Sequence, residues 1–179
     1  LQYQKPKPVV PRHDTYEIDE RIAADGNIVT DLDSKVTSTL VKNIFDKENF
    51  DSVAICFLHS YLNPIHERAL SKIISALYPE MPITCSCDVA REFREYERAS
   101  TTTLAAYVQP VVAGYITRFS EELHEKGFQG KFSIMQSNGG RMPAAAITKN
   151  AITSLFSGPA AGVVGALRGK GKTSYPDII

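Results

Sequence analysis

The run Val53-Ala54-Ile55-Cys56-Phe57-Leu58 constrains this chain more than any other stretch. It is continuously apolar, rich in strand-forming residues and too short for a buried helix. Such a run reads as a strand covered on both faces, the arrangement of a parallel sheet. Asn63-Pro64 opens a helix behind it, with Ala69, Leu70, Ile73, Ile74 and Leu77 as the buried stripe. Pro82 to Cys87 then supplies a second short strand. Strand, helix and strand in this order predict a βαβ unit with a right-handed crossover, and an α/β fold.

The flanks extend the same pattern. Leu1 to Arg12 reads as an extended lead-in, and Tyr16 to Ile22 alternates apolar and charged residues as a half-buried strand does. Asp25-Gly26-Asn27 turns that strand back through Ile28-Val29. Asp33-Ser34 caps a helix whose apolar positions are Val36, Leu40, Val41, Ile44 and Phe45. Helical spacing of Val108, Val111, Val112, Tyr115, Ile116, Phe119 and Leu123 predicts a long helix over Val108–Lys126, closed by Gly127. The hydroxyls of Ser100-Thr101-Thr102-Thr103 are placed to cap it, and Phe132 to Met135 is the next strand.

Two glycine-bearing segments follow: Ser137-Asn138-Gly139-Gly140, and Ser157-Gly158-Pro159-Ala160-Ala161-Gly162-Val163-Val164-Gly165-Ala166. Pro159 suits the first turn of a helix, with Gly158 or Ser157 as its cap. The second segment is therefore expected to open a tightly packed helix, whose N-terminal end favours an anion such as phosphate. The alternative is an Ala/Gly-rich helix packed closely against a sheet. In open α/β sheets ligands gather outside the carboxyl ends of strands, where His59-Ser60, Asp88 and Ser137 to Gly140 all fall.

Composition closes off other classes. Apolar residues make up 43% of the 179 residues and charged ones 22%, as in ordinary globular domains. Lys+Arg and Asp+Glu balance at 20 each, which gives no electrostatic case for nucleic acid or an anionic membrane. No apolar run approaches the ~20 residues of a membrane helix. Three cysteines, Cys56, Cys85 and Cys87, form no disulfide framework, so a reducing cytoplasm is expected. Cys85 and Cys87 lack the second pair a metal site needs and read as small buried strand residues. Of the histidines, His66 and His124 read as solvated helix residues, and His59 at a strand end is the candidate for polar contact with substrate. Gly169-Lys170-Gly171-Lys172-Thr173 mimics the end of a P-loop, but Ala166 stands where the first glycine is required, so a mobile basic loop is expected.

Several motifs in order carry a family resemblance. They are Phe57-Leu58-His59-Ser60-Tyr61 with Asn63-Pro64 and His66-Glu67-Arg68; Arg94-Glu95-Tyr96-Glu97-Arg98-Ala99-Ser100-Thr101-Thr102; Ala106-Tyr107-Val108-Gln109-Pro110; Met135-Gln136-Ser137-Asn138-Gly139-Gly140; and Ser157 to Ala166. From about Pro8 onward the chain resembles the hydantoinase A/oxoprolinase family. The resemblance implies part of an actin/hexokinase-like (ribonuclease H-like) ATPase domain, with βαβ units and a mixed, largely parallel sheet. It divides the chain into residues 1–103, the C-terminal part of the family's N-terminal region, and 104–179, the start of its hydantoinase A core.

The same resemblance implies an ATP-dependent hydrolase subunit that opens small cyclic amides such as hydantoin, N-methylhydantoin or 5-oxoproline through phosphoryl activation. ATP and Mg²⁺ are the cofactors, and a hydantoinase B-type subunit or domain is the partner. An ATP-dependent ketone carboxylase subunit is the alternative chemistry, and a non-catalytic α/β partner-binding module the alternative class. The family's two phosphate-binding hairpins, each an Asp with a glycine pair and Thr/Ser, are expected upstream of Leu1 and just after Tyr175-Pro176-Asp177-Ile178-Ile179. The chain thus reads as an internal fragment that by itself neither binds Mg-ATP tightly nor turns it over. Arg91 to Arg98 reads from its pattern as a solvated helix face laced with ion pairs. The resemblance instead assigns catalytic roles to Arg98, Arg94 and Glu97, with Arg98 or Arg94 gripping phosphate or carboxylate and Glu97 orienting it. It has Asn138, Gly139 and Gly140 present amides to substrate or nucleotide, beside His59 at its strand end and Ser157 and Gly158 at their helix end as the other candidate binding residues.

Overall fold

A computed structural model describes residues 7–147 and 150–170 of the chain, short of the Lys170 side chain. The first residues of the lead-in, most of the P-loop-like Gly169 to Thr173 stretch and the Tyr175 to Ile179 segment lie outside them. Two compact units divide the chain at Leu1–Pro110 and Val111–Ile179.

The first unit opens with an antiparallel hairpin, β1 (Arg21–Ile22) and β2 (Ile28–Thr30). Gly26 turns it at φ +86°, and the Asp25 carboxylate accepts from the Asn27 N–H at 3.0 Å and its side-chain amide at 2.7 Å. Those bonds hold the Asp25 carboxyl below its ordinary value. Only two residues of the predicted Tyr16–Ile22 strand pair, because β2 is short. Its alternation survives in burial, with Ile18 packed on the core and Ile22 1% exposed. Helix α1 (Ser34–Phe45) starts as expected, the Asp33 side chain accepting from Lys35 and Val36 N–H groups at 2.8 and 3.0 Å. Val36 itself faces solvent, and Thr37 and Val41 are the buried positions.

The βαβ unit consists of β3 (Val53–Ile55), α2 (Ile65–Leu77) and β4 (Ile83–Cys85). The strands run parallel, in the register Val53↔Ile83, Ala54↔Thr84, Ile55↔Cys85. Leu70 and Ile74 carry the α2 stripe into a core of Leu32, Val41, Ile55, Cys85 and Cys87, flanked by Ala69, Ile73 and Leu77. The expected six-residue strand covered on both faces is corrected: β3 ends at Ile55 and Ala54 is exposed. The ladder stops because side chains take both backbone polar groups of Phe57, as set out below. A one-turn helix α3 (Ser86–Val89) follows β4.

Helix α4 spans Glu95–Glu125, starting well before the predicted Val108, with Pro110 inside it. The hydroxyls of Thr101 and Thr102 therefore do not cap it. They lie within the helix and donate back to the carbonyls of Glu97 and Arg98 at 2.8 and 2.7 Å. Gly127, at φ +84°, closes the helix as predicted, its N–H reaching the His124 carbonyl at 2.9 Å.

The second unit holds an antiparallel hairpin, β5 (Ser133–Met135) and β6 (Arg141–Pro143), in the register Ile134↔Met142. After it come α5 (Ala144–Ile147), a 3-10 turn over Ala151–Ser154, and α6 (Ser157–Lys170). The strands of the described residues form three two-stranded ladders, of which β3–β4 is the parallel one.

Candidate functional site

In the first unit the carboxyl ends of β3 and β4 converge on one carboxylate. Glu67 sits in the first turn of α2 with none of its surface exposed. It accepts from the Phe57 N–H at 2.9 Å, the Ser86 hydroxyl at 2.6 Å and the Cys87 N–H at 3.0 Å. Because Ser86 spends its proton on Glu67, Ser60 is the donor in the 3.0 Å contact between the two hydroxyls. The Cys87 thiol is pushed up by its hydrogen bond with Cys85, by burial and by the Glu67 charge, which keeps it a thiol. Cys85 and Cys87 are both buried, at 5% and 2% exposure.

Arg98 closes the arrangement from α4. It is 0% exposed and donates to the Phe57 carbonyl at 2.6 Å and the Glu92 carbonyl at 2.7 Å. Its Cζ lies 5.6 Å from the centre of the Tyr61 ring, and its Nε has no partner. His59 stands in the turn between these groups at φ +57°, its ring 6.1 Å from that of Tyr61 and its Nδ1 buried without a partner. Arg94 and Glu97 lie on the surface as an i,i+3 ion pair at 3.5 Å, with side chains 64% and 51% exposed. Arg94 also stacks over Phe93. The structure thus brings His59 and Arg98 around Tyr61, and it keeps Arg94 and Glu97 outside that cluster.

The other candidates belong to the second unit. Gly139 turns the β5–β6 hairpin at φ +81°, and a Cβ there would meet a Val164 methyl of α6 at 3.0 Å. Asn138 accepts from the Gly140 N–H at 2.8 Å, which folds the side chain onto its own turn. Ser157 and Gly158 are already helical in α6, and Pro159 occupies its first turn as expected. The cap position falls instead to Phe156, at φ +57° and 83% exposed.

Sequence reasoning placed Ser60 at a strand end and Tyr61 and Glu67 in a family motif without giving Tyr61 or Glu67 a role, and it passed over Ser86. A signal existed for Glu67: it continues the α2 stripe of Leu70 and Ile74 by i+3 and i+7 spacing, so it is a carboxylate on a buried face. His66 was expected to be solvated and is 2% exposed. Its ring bridges Glu20 at 2.7 Å and Asp31 at 3.1 Å, which ties the hairpin to α2. His124 is exposed as expected. Among the described residues no group of three or more His, Cys, Asp or Glu side chains is placed to hold a metal, and no helix is long and apolar enough to cross a membrane.

The hydantoinase/oxoprolinase N-terminal region model matches residues 1–78, and the hydantoinase/oxoprolinase model matches residues 98–179. The chain belongs to the hydantoinase/oxoprolinase family. It is 42% identical to an uncharacterized protein of Methanocaldococcus jannaschii over 92% of the chain and 24% of that protein. It is 34% identical to the caprolactamase subunit alpha of Pseudomonas jessenii over 85% of the chain and 22% of the relative. The solved ATP-dependent caprolactamase of that organism superimposes on 93% of the chain and 25% of its own length, with a TM-score of 0.78 at 32% identity. The nucleotide-free structure of an acetone carboxylase, from work on ATP-dependent acetone carboxylation, covers 94% of the chain and 24% of its own length, with a TM-score of 0.80 at 27% identity. The chain therefore spans about a quarter of the length of these hydantoinase/oxoprolinase relatives. Its fold is the piece of an actin-like ATPase domain expected from the sequence. The family joins ATP-dependent amide-opening enzymes to ATP-dependent carboxylases, and the caprolactamase relative is one subunit of a larger assembly.

Proposed function

We propose that this protein, at its natural length, is the ATP-dependent subunit of a cyclic amidohydrolase. ATP phosphorylates the amide oxygen of a small ring such as a hydantoin or 5-oxoproline. The weakened C–N bond then opens to water or to a nucleophile held by a hydantoinase B-type partner. Sequence identity to the solved caprolactamase carries this reading, since it exceeds identity to the solved acetone carboxylase, 32% against 27%. Mg²⁺ travels with the nucleotide phosphates, as phosphoryl transfer generally requires. No clustered ligand set among the described residues would hold it alone.

Within this reading His59 lies on the substrate side and Arg98 supports it from behind. Asn138 to Gly140 and the Ser157-Gly158 end of α6 meet the nucleotide. Arg94, oriented by its ion pair with Glu97, grips phosphate or carboxylate. Ketone carboxylation remains the second reading, favoured by the 0.80 TM-score with the acetone carboxylase.

The test is ATP turnover by the protein at natural length with its partner subunits. It is offered hydantoin, N-methylhydantoin, 5-oxoproline and caprolactam, then acetone and acetophenone with bicarbonate. ADP formed together with a ring-opened acid is the expected result. Turnover only with ketone and bicarbonate would move the protein to the carboxylases. No stimulation by either set would leave a partner-binding module.

A further inference from the structure

Two buried charges close on the backbone of a single residue. Phe57 gives its N–H to the Glu67 carboxylate and takes the Arg98 guanidinium on its carbonyl. Both side chains are 0% exposed, and they form no direct ion pair with each other among the described residues. Burying ions in this way is costly, and apolar residues of similar volume often serve a fold as well or better. A core that needed only stability would therefore gain little from this pair. What the two charges do provide is a fixed shape. They end β3 at Ile55 and turn the chain, so that two residues past Phe57 His59 takes a left-handed φ of +57°.

The turn is pinned from the other side as well. Ser60 donates to Ser86, and Ser86 donates to Glu67, so Glu67 holds both ends of the Phe57 to Ser60 segment. The His59 ring has no such tether, because its buried Nδ1 lacks a partner. Its orientation is inherited from the backbone beneath it. An off-centre backbone conformation of this kind persists only where surrounding contacts impose it, and it lies here at the carboxyl end of a parallel pair, where ligands bind in such sheets.

We propose that Glu67 and Arg98 are positioning residues that hold the His59 turn in the shape that meets the substrate. His59 touches the amide, and the two charges act only through it. The ligand assigned to His59 rests on the amidohydrolase reading above; the clamp itself does not.

A double-mutant cycle in the protein at natural length, with its partner subunits, tests the proposal. Glu67→Gln keeps the volume and removes the charge. Arg98→Lys keeps a charge and removes the fork, and it serves if Glu67→Gln fails to fold. Each is expected to raise KM for the cyclic amide roughly tenfold, one hydrogen bond's worth, with kcat little changed. In a His59→Ala background neither should change KM further, while its effect on Tm persists. Additive effects on KM would mean that Glu67 and Arg98 reach the substrate by a route other than His59, and a change in Tm without one in KM would assign them to stability alone; either would overturn the proposal. The NMR signals of His59, read in the same variants, give a check independent of turnover. They should move while those of Val41 stay in place, and unmoved His59 signals would also overturn it. If they move but no cyclic amide elicits turnover from the unaltered protein, the amidohydrolase reading fails and takes the ligand assigned to His59 with it.

Discussion

The two units differ in where the side chains that hold a turn come from: distant elements in one, the turn itself in the other. In the first, the Leu62 and Asn63 N–H groups close the His59 turn on its own carbonyl at 3.0 and 3.2 Å, and distant side chains shape it: Glu67, Ser86 and Arg98 close around it over an apolar core of Leu32, Val41, Ile55, Leu70 and Ile74. In the second, the Gly139 turn is held by backbone bonds and by its own Asn138 side chain. The Gln136 N–H meets the Gly140 carbonyl at 2.8 Å and the Ser137 N–H meets the Thr153 carbonyl at 2.7 Å. Its described fully buried apolar residues are Ile116, Ile147 and Ala151, whereas Val163 and Leu167 of α6 stand exposed. Positions 158, 162, 165 and 169 lie along one face of α6, and an added Cβ at any of them would meet open space. Those glycines look in sequence like close-packing sites, and here that face is bare. A side-chain clamp tolerates ordinary residues in the turn, while a backbone turn depends on glycine.

The largest effect should come from the core beneath the first turn. Leu70→Ala is expected to cost about 2–5 kcal/mol by denaturant titration, since it removes the centre of a packed cluster. The matching truncation in α6, Leu167→Ala, should stay within about 0.5 kcal/mol. A comparable loss at both positions would break the contrast between the units. Gly139→Ala comes next. Strain at φ +81° plus a Cβ at 3.0 Å from Val164 predicts a loss of about 1–3 kcal/mol. Hydrogen exchange should locate that loss in β5, β6 and α6, with the first unit unaffected. Asp33→Ala removes the α1 cap and should cost about 1 kcal/mol, read as faster exchange at Lys35 and Val36.

The smallest effect concerns acid. The Asp25 carboxyl is depressed in the folded hairpin, chiefly by the Asn27 N–H. The carboxylate's contribution is therefore complete above its unfolded value of about 4 and is lost as pH falls through the folded value below that. Protection of the Asn27 and Ile28 amides, taken relative to their intrinsic exchange rate at each pH, should fall on acidification in that window, and Asp25→Asn should remove that pH dependence.

The elements that follow local rules were legible in the sequence. The Asp33 cap, the α2 stripe, the parallel βαβ order and the Gly127 stop all appear where spacing and capping chemistry put them. What stayed hidden depends on distant partners. The end of β3 is set by Glu67 and Arg98, 10 and 41 residues from Phe57, and no local pattern announces it. The charged run before Arg98 suggested a solvated face, and most of it is one. Arg98 departs because it shares a helix face with Thr102, Ala105 and Ala106, all buried. His66 was misjudged for the same reason, since its two carboxylate partners lie 46 and 35 residues away.

The Phe57 backbone also bears on the order of folding. A turn drawn by its own residues can form early, because only a short loop must close. The local bonds of Leu62 and Asn63 to the His59 carbonyl can form early, but the bonds of Glu67 and Arg98 to Phe57 need α2 and α4 docked, and the longer of those closures carries the greater entropy cost. The final shape of the His59 turn is thus expected to be completed late in folding. It is also not portable: the Leu58 to Tyr61 segment moved onto another scaffold without Glu67, Ser86 and Arg98 would arrive as an ordinary loop.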